Sequence, residues 1–393
     1  MMQMKTAMQE MKFTVSRLDE VCEVIMGQAP RGESYNLEGK GLPLIAGAGD
    51  FGDTYPVAKK FTTEASKISR IGDIILGIRA TIGEKVLSDG EYCLGRGVAA
   101  LRTYSMLDSR YLWHWLEHIR LKLASKAKGA TFKQVTREDI AELKITLPPI
   151  AEQKRIAAIL DRAEELRGLR RKALGELDAI VQSIFLKMFG NPMMNSQGWE
   201  MGALQDIADF QTGYPFTSID YTTEGETVKL CRGANILPTR IDWNDLACWS
   251  KLRMNAVAEF ALQLGDVVIA MDRPWISAGF KIAQIQQKDL PALLVQRVAR
   301  LRGKDSCSNS FIFQLLKLPV FTDHCKPTET TIPHISPKDI KTFRFPIPPI
   351  ELQKEFAWRV EAIEQLKTTH RESLAQLNAL FASLQHRAFQ GEL

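Results

Sequence analysis

The sequence has no C-x-x-C pair, and so no histidine at zinc-finger spacing from one. Its six cysteines, Cys22, Cys93, Cys231, Cys248, Cys307 and Cys325, lie far apart, which excludes a metal ribbon and leaves reduced structural thiols as the reading. No stretch approaches the roughly 18 consecutive apolar residues of a membrane span, so no membrane partner is expected. The opening Met1 to Lys12 is rich in Met, yet it carries Lys5, Glu10 and Lys12 and has no apolar signal core. It reads as a loose tail rather than an export signal, and a cytoplasmic location is the expectation.

Signatures of chemistry are equally scarce. There is no P-loop, which argues against a motor or translocase. The Asn/Asp-Pro-Pro-aromatic tetrapeptide of amino-methyltransferases is absent, because Pro148-Pro149 and Pro348-Pro349 are preceded by Leu147 and Ile347 and followed by Ile. No Ser-His-Asp or Cys-His grouping emerges from spacing. Gly47-Ala48-Gly49-Asp50-Phe51-Gly52 satisfies G-x-G-x-x-G, but Pro56 forbids the helix that must follow to hold a pyrophosphate, so a glycine-rich loop is expected. His114-Trp115-Leu116-Glu117-His118 satisfies H-x-x-E-H, in which two histidines bind zinc and the glutamate activates water. Two hundred residues on, the chain has Gln314, Lys317 and Leu318 instead, so the same helix is built without ligand or base. His114 and His118 are expected on a helix surface beside Trp113 and Trp115, with no catalytic or metal residue assigned.

What the sequence does contain is itself, twice. TFKQVTREDIAELKITLPPIAEQKRI, from Thr131 to Ile156, answers TIPHISPKDIKTFRFPIPPIELQKEF, from Thr331 to Phe356, at an ungapped offset of 200. Upstream, GDIILGIRA from Gly72 answers GDVVIAMDR from Gly265, RGVAALR from Arg96 answers QRVARLR from Gln296, and LDEVCEVIMG from Leu18 answers LQDIADFQTG from Leu204. Each half is one unit of about 190 residues.

Apolar runs such as Asp73-Ile74-Ile75-Leu76 and Asp266-Val267-Val268-Ile269, bounded by Gly, predict sheet cores. An amphipathic helix follows in each half, from Arg110 to about Ser125 and from Ser310 to Leu318, then a loop containing Thr, then a strand ending in Pro-Pro. Past each Pro-Pro the apolar period becomes helical. Ile156, Ile159, Leu160, Ala163, Leu166, Leu169, Leu174, Leu177, Ile180, Val181, Ile184, Phe185 and Met188 form one stripe, and Phe356, Val360, Ile363, Leu366, Leu374, Leu377, Phe381 and Leu384 form another. At about 1.5 Å per residue, a helix of about 38 residues runs roughly 57 Å and is expected to act as a spacer. Gly168, Gly175, Arg167, Arg170 and His370 interrupt the seam. The expected class is α+β: two similar strand-rich α/β domains separated by two long antiparallel helices, a coiled-coil spacer. The segments are a tail 1–12, a domain 13–149, a central helix 150–190, a linker 191–198, a second domain 199–349 and a C-terminal helix 350–389.

Net charge is +5, which permits a polyanion partner. From His118 to Arg137 the chain carries Arg120, Lys122, Lys126, Lys128, Lys133 and Arg137 with no acid, a run able to neutralise phosphates.

TREDIAELKITLPPIAEQKRIAAIL, SPKDIKTFRFPIPPIELQKEF and GDVVIAMDRPWISAGFKIA resemble the segments that build and flank the target-recognition domains of type I restriction-modification specificity subunits. The resemblance covers nearly the whole chain, twice. It implies a non-catalytic protein that binds a bipartite, asymmetric double-stranded DNA target, one half-site per recognition domain, with the helices setting the separation. It also implies two modification subunits that carry S-adenosylmethionine and methylate adenine, and restriction subunits that use ATP and Mg; no cofactor is expected on this chain. Arginines and lysines on phosphates, with a few polar side chains on base edges, are what such a surface needs. The candidates in the first half are Arg79, Thr81, Arg96, Lys126, Lys128, Thr131, Lys133 and Gln134. In the second they are Lys229, Arg232, Asn235, Arg273, Trp275, Ser277, Arg297, His324, Lys326, Thr331 and His334. Two other classes stay open: a zinc-dependent hydrolase built on His114, Glu117 and His118, and a coiled-coil scaffold that reads no DNA.

Overall fold

A computed structural model describes residues 13–128, 133–325 and 333–393. The chain divides into two compact units, one made of residues up to Arg171 together with Glu372–Leu393, the other of Lys172–Arg371.

In the first unit the central sheet is antiparallel, in the order Cys22–Met26, Val98–Thr103, Ile74–Gly77, Lys85–Leu87. Ile74 and Leu76 point into one apolar cluster and Ile75 into another, because side chains alternate across a strand. Burial on both faces is why this strand reads as an unbroken apolar run. A second sheet orders Tyr35–Asn36, Lys60–Thr62, Leu42–Ile45 and Cys93–Leu94, the last pair parallel. Thr14–Arg17 pairs with Lys144–Leu147.

The second unit repeats this plan. Ala208–Thr212, Val298–Gly303, Val267–Ala270 and Ile282–Gln284 form its central sheet. Cys248–Ser250, Thr227–Cys231 and Ala292–Leu294 form the smaller one, again with a parallel pair. Register matches as well as order: Ile74 faces Leu101 as Val267 faces Leu301.

Buried ion pairs recur. The Asp73 carboxylate accepts from Arg102 at 2.8 and 3.0 Å, and that of Asp266 from Arg302 at 2.7 and 2.8 Å. Thr136 with Asp139, and Ser336 with Asp339, each close a capping box on a short helix.

The Pro-Pro-Ile-x-x-Gln identity has a specific cause. Gln153 is 1% exposed; its Oε1 accepts from the Asp108 N–H at 2.8 Å, and its Nε2 donates to the Met106 and Pro148 carbonyls at 2.9 Å. Gln353 does the same with Ser308, Ser306 and Pro348. Each glutamine latches the strand-to-helix turn to the loop that opens the preceding helix.

The expected helix from Arg110 to Ser125 is broken at Ile119 into Ser109–His118 and Arg120–Ser125. Its twin is Asn309–Leu316, then Pro319–His324, since Pro319 cannot continue the earlier helix. The long helices span Ile150–Phe189 and Ile350–Gln390. Gly190 at φ 71° and Gly391 at φ 80° terminate them in the left-handed conformation that glycine adopts freely.

The compact units cut the chain differently from the sequence segments. In the first, Phe381, Ala388 and Phe389 of the second long helix join Tyr111, Leu116, Ile156 and Leu160 in the core. In the other, Val181, Phe185 and Phe189 of the first long helix join Phe311, Phe345 and Phe356. Within each unit the helix segments run antiparallel, Arg167 reaching Asn378 at 2.7 Å in one and Lys367 reaching Asp178 at 2.8 Å in the other. Arg167, read as a flaw in the seam, stacks its guanidinium 4.3 Å from the Phe381 ring. All six cysteines are buried and free, and burial pushes the Cys22 and Cys231 thiols up to about 12. Among the described residues no helix is long and apolar enough to cross a membrane.

Candidate nucleic-acid interface

Each unit ties three loops together where a central strand ends. Beyond Ile74–Gly77, the Ile78 N–H donates to the Gly97 carbonyl at 3.0 Å, and the Ile78 carbonyl accepts from the Val135 N–H at 3.0 Å. Beyond Val267–Ala270, the Met271 N–H donates to Arg297 at 2.9 Å and its carbonyl accepts from Ile335 at 2.8 Å. The frame is therefore common to both units while the side chains on it differ.

In the first unit these bonds gather Arg79, Arg96, Lys128, Lys133 and Gln134, with Lys128 and Gln134 exchanging two backbone bonds of 3.0 Å. Arg79 is half-buried, and its Nε has no hydrogen-bond partner among the described residues. Arg96, Lys133 and Gln134 are exposed, as is Thr81, whose carbonyl accepts from the Glu84 amide. Lys126 is half-buried. The Lys128 ammonium lies 3.9 Å from Asp139, whose carboxyl is held below its usual range chiefly by the Thr136 backbone amide. Arg120 of the basic run is already paired with Glu84 at 3.0 Å. Thr131 lies outside the described residues.

In the second unit Arg273 and Arg297 are exposed and hold φ of 45° and 66°. Left-handed backbone costs a residue with a Cβ about 1–2 kcal/mol, and such strain concentrates where a surface is used. The Arg273 N–H donates to the Pro333 carbonyl at 2.9 Å, and Asp272 bridges His334, so the 333–335 segment is fixed against this loop. Trp275–Ile276 and Gly279–Phe280 form a short hairpin. Trp275 packs 5.4 Å from Phe280, which rests on Phe321, and Ser277 is exposed at the turn.

Several candidates are spent on structure instead. Asn235 is 1% exposed; its Oδ1 accepts from the Arg232 amide, and its Nδ2 donates to the Asp242 and Asp245 carbonyls, so it staples a turn and has nothing left for a base. Arg232 pairs with Asp245 at 2.9 Å. Lys229 sits within a strand, donates to the Lys288 carbonyl at 2.8 Å and lies over the Trp243 ring. The His324 Nε2 meets the Asp339 carbonyl at 3.0 Å, and its ring packs on Phe343. Lys326 and Thr331 lie outside the described residues.

The two catalytic look-alikes dissolve on the same grounds. His114 is buried rather than on the helix surface, and its Nε2 meets the Asp161 carboxylate at 2.7 Å. Glu117 is taken by Lys85 at 2.5 Å, and His118 packs on Phe389. No cluster of three metal-capable side chains exists among the described residues. Gly47-Ala48-Gly49-Asp50 turns through a single 3-10 segment, Ala48–Asp50, with Asp50 accepting from the Ala46 amide. The same kind of staple recurs in the second unit, where Asn235 accepts from the Arg232 amide across a turn one residue shorter.

Asp272 and Lys281 escaped the sequence reading. Lys281 is 7% exposed beneath the loop, and burial lowers its pKa, reinforced by Arg273 and opposed by Asp272. The signal for Asp272 was present in the repeat alignment, which sets it against Arg79.

Known proteins match this plan. The sequence matches the family described as type I restriction modification DNA specificity domain over residues 10–177 and 196–379, once per half. It is 26% identical over 303 residues to the type I restriction enzyme MjaVIII specificity subunit of Methanocaldococcus jannaschii, covering 73% of this chain and 71% of that one. To the putative type I restriction enzyme MjaX specificity subunit of the same organism it is 33% identical over 163 residues, 41% of this chain and 38% of the relative's length. The crystal structure of a type I restriction-modification system S subunit from M. genitalium superposes with a TM-score of 0.57 at 16% identity, over 97% of both chains, a likeness of fold. With both halves matched across most of their length, the chain belongs to the type I restriction-modification DNA specificity family.

Proposed function

We propose that this chain is the non-catalytic, sequence-reading subunit of a type I restriction-modification assembly. It binds an asymmetric, bipartite double-stranded DNA target, one half-site per unit. Two modification subunits supply S-adenosylmethionine and adenine methylation, and restriction subunits supply ATP- and Mg-dependent cleavage.

The observation that carries this reading is the pair of loop clusters, tied by the same two backbone bonds at Ile78 and Met271 and different in side chains. Exposed Arg96, Lys128 and Lys133 in one unit, and Arg297 in the other, suit phosphates, which position a protein without specifying sequence. Arg79, Gln134, Arg273, Ser277 and His334 offer the polar groups that base edges require.

Arg273→Ala tests it in gel shifts with the full chain bound to its modification subunits. The variant should lose about 1–3 kcal/mol of binding or of preference at one half-site and keep the other intact. Equal loss at both half-sites contradicts two independent readers, and no sequence-selective binding by the unaltered protein returns the chain to a scaffold role.

A further inference from the structure

The two units place opposite charges at one backbone position. Arg79 follows Ile78 and Asp272 follows Met271, and these two preceding residues make the same pair of bonds: an N–H to the loop at Gly97 or Arg297, a carbonyl from Val135 or Ile335. The strands leading in agree as well, with Gly77 facing Val98 and Ala270 facing Val298. Arg79 and Asp272 are thus equivalents in the frame, one cationic and one anionic.

Neither side chain is consumed by its own loop. The Arg79 Nε is buried and without a hydrogen-bond partner among the described residues, a state that costs free energy until an acceptor arrives. The Asp272 carboxylate, 41% exposed, faces the Arg297 Nε across 3.7 Å, longer than a hydrogen bond. Arg273 and Lys281 lie within electrostatic reach of this loop and offset the repulsion a carboxylate meets near phosphates.

A guanidinium donates and never accepts; an ionised carboxylate accepts and never donates. In the major groove, guanine offers the acceptors O6 and N7, whereas cytosine N4 and adenine N6 are donors. We infer that this shared position selects one base in each half-site, Arg79 taking a guanine edge and Asp272 taking the exocyclic amine of cytosine or adenine. The charge reversal then makes the two half-sites differ at the base it faces. This selector rests on the DNA-reading function proposed above and adds to it the residues that set the difference.

The test is selection from a randomised duplex library by the full chain bound to its modification subunits, with Arg79→Ala and Asp272→Ala alongside. Asp272→Ala should lose roughly tenfold or more of the discrimination at one position of one half-site. That position should hold cytosine or adenine in the unaltered motif, and the selected sequences tell which. Arg79→Ala should relax a guanine in the other half-site. The untouched half-site in each variant serves as the control for folding. An unaltered motif in both variants overturns the selector while leaving sequence reading in place, as does a loss spread evenly over a half-site, the mark of a residue that only steadies its loop. A library from which the unaltered protein selects no motif overturns the DNA-reading function itself.

Discussion

Replacing Gln153 by Met keeps the side chain's length and removes its three hydrogen bonds. The Asp108 N–H, now at 2.8 Å from Oε1, loses its acceptor in a site 1% exposed, and the Met106 and Pro148 carbonyls lose their donor. An unsatisfied buried group costs about 1–3 kcal/mol, and part of the carbonyl loss is recoverable by water or relaxation, so the expected destabilisation is about 2–4 kcal/mol. Gln353→Met should cost the same through Ser308, Ser306 and Pro348, and the two should add because they share no partner. Urea denaturation followed by circular dichroism gives the size. Hydrogen exchange gives the place: protection should fall around residues 106–116 in the first variant and 306–316 in the second. A change below about 0.5 kcal/mol in either, the range of ordinary surface substitutions, would refute the latch.

Removing the Asp266 carboxylate, fully buried against Arg302, by Asp266→Ala should destabilise by about 3–5 kcal/mol in the same denaturation assay, because an uncompensated charge is left behind. Burial lowers the pKa of His114 against the opposing pull of Asp161, so the unfolded chain takes up a proton at higher pH than the folded one. Stability is therefore full above the free histidine value of about 6.5 and falls as pH drops below it; His114→Gln, the residue type at twin position 314, should flatten that slope in thermal melts, and an unchanged slope counts against it. Lys128→Ala should weaken DNA binding uniformly across sequences and reduce the salt slope by about one, whereas a change in sequence preference would show that Lys128 reads a base.

The sequence carried the organisation of the molecule because the repeat did. Pro-Pro-Ile, Gln153, Gln353, Asp139 and Asp339 are identical in both halves because each makes the same bonds twice, and such bonds tolerate few residue types. Ile74 and Val267 were legible as sheet core for another reason, the unbroken apolar run of a strand buried on both faces. The long helices were visible in their period, but not that Val181, Phe185 and Phe189 belong to the core of the second unit and Phe381, Ala388 and Phe389 to that of the first, since a stripe says that a helix is covered and not by what. Site residues were harder. Asn235 and His324 have the polar chemistry of base readers, and their consumption in turns and packing depends on partners distant in sequence. His114 misled in the opposite direction, because Asp161, 47 residues away, turns an apparent ligand into a buried pair. Asp272 went unread because an acid is unexpected on a loop proposed to read DNA, although the alignment with Arg79 was in plain view.

The most direct measurement is a genome-wide map of methylated adenines in cells that carry the modification subunits, with and without this chain. Methylation should appear with the chain at one motif of two unlike halves flanking an unspecified gap, and vanish without it. The same adenines methylated in its absence, or a motif with two identical halves in its presence, would contradict two units that each read their own half-site.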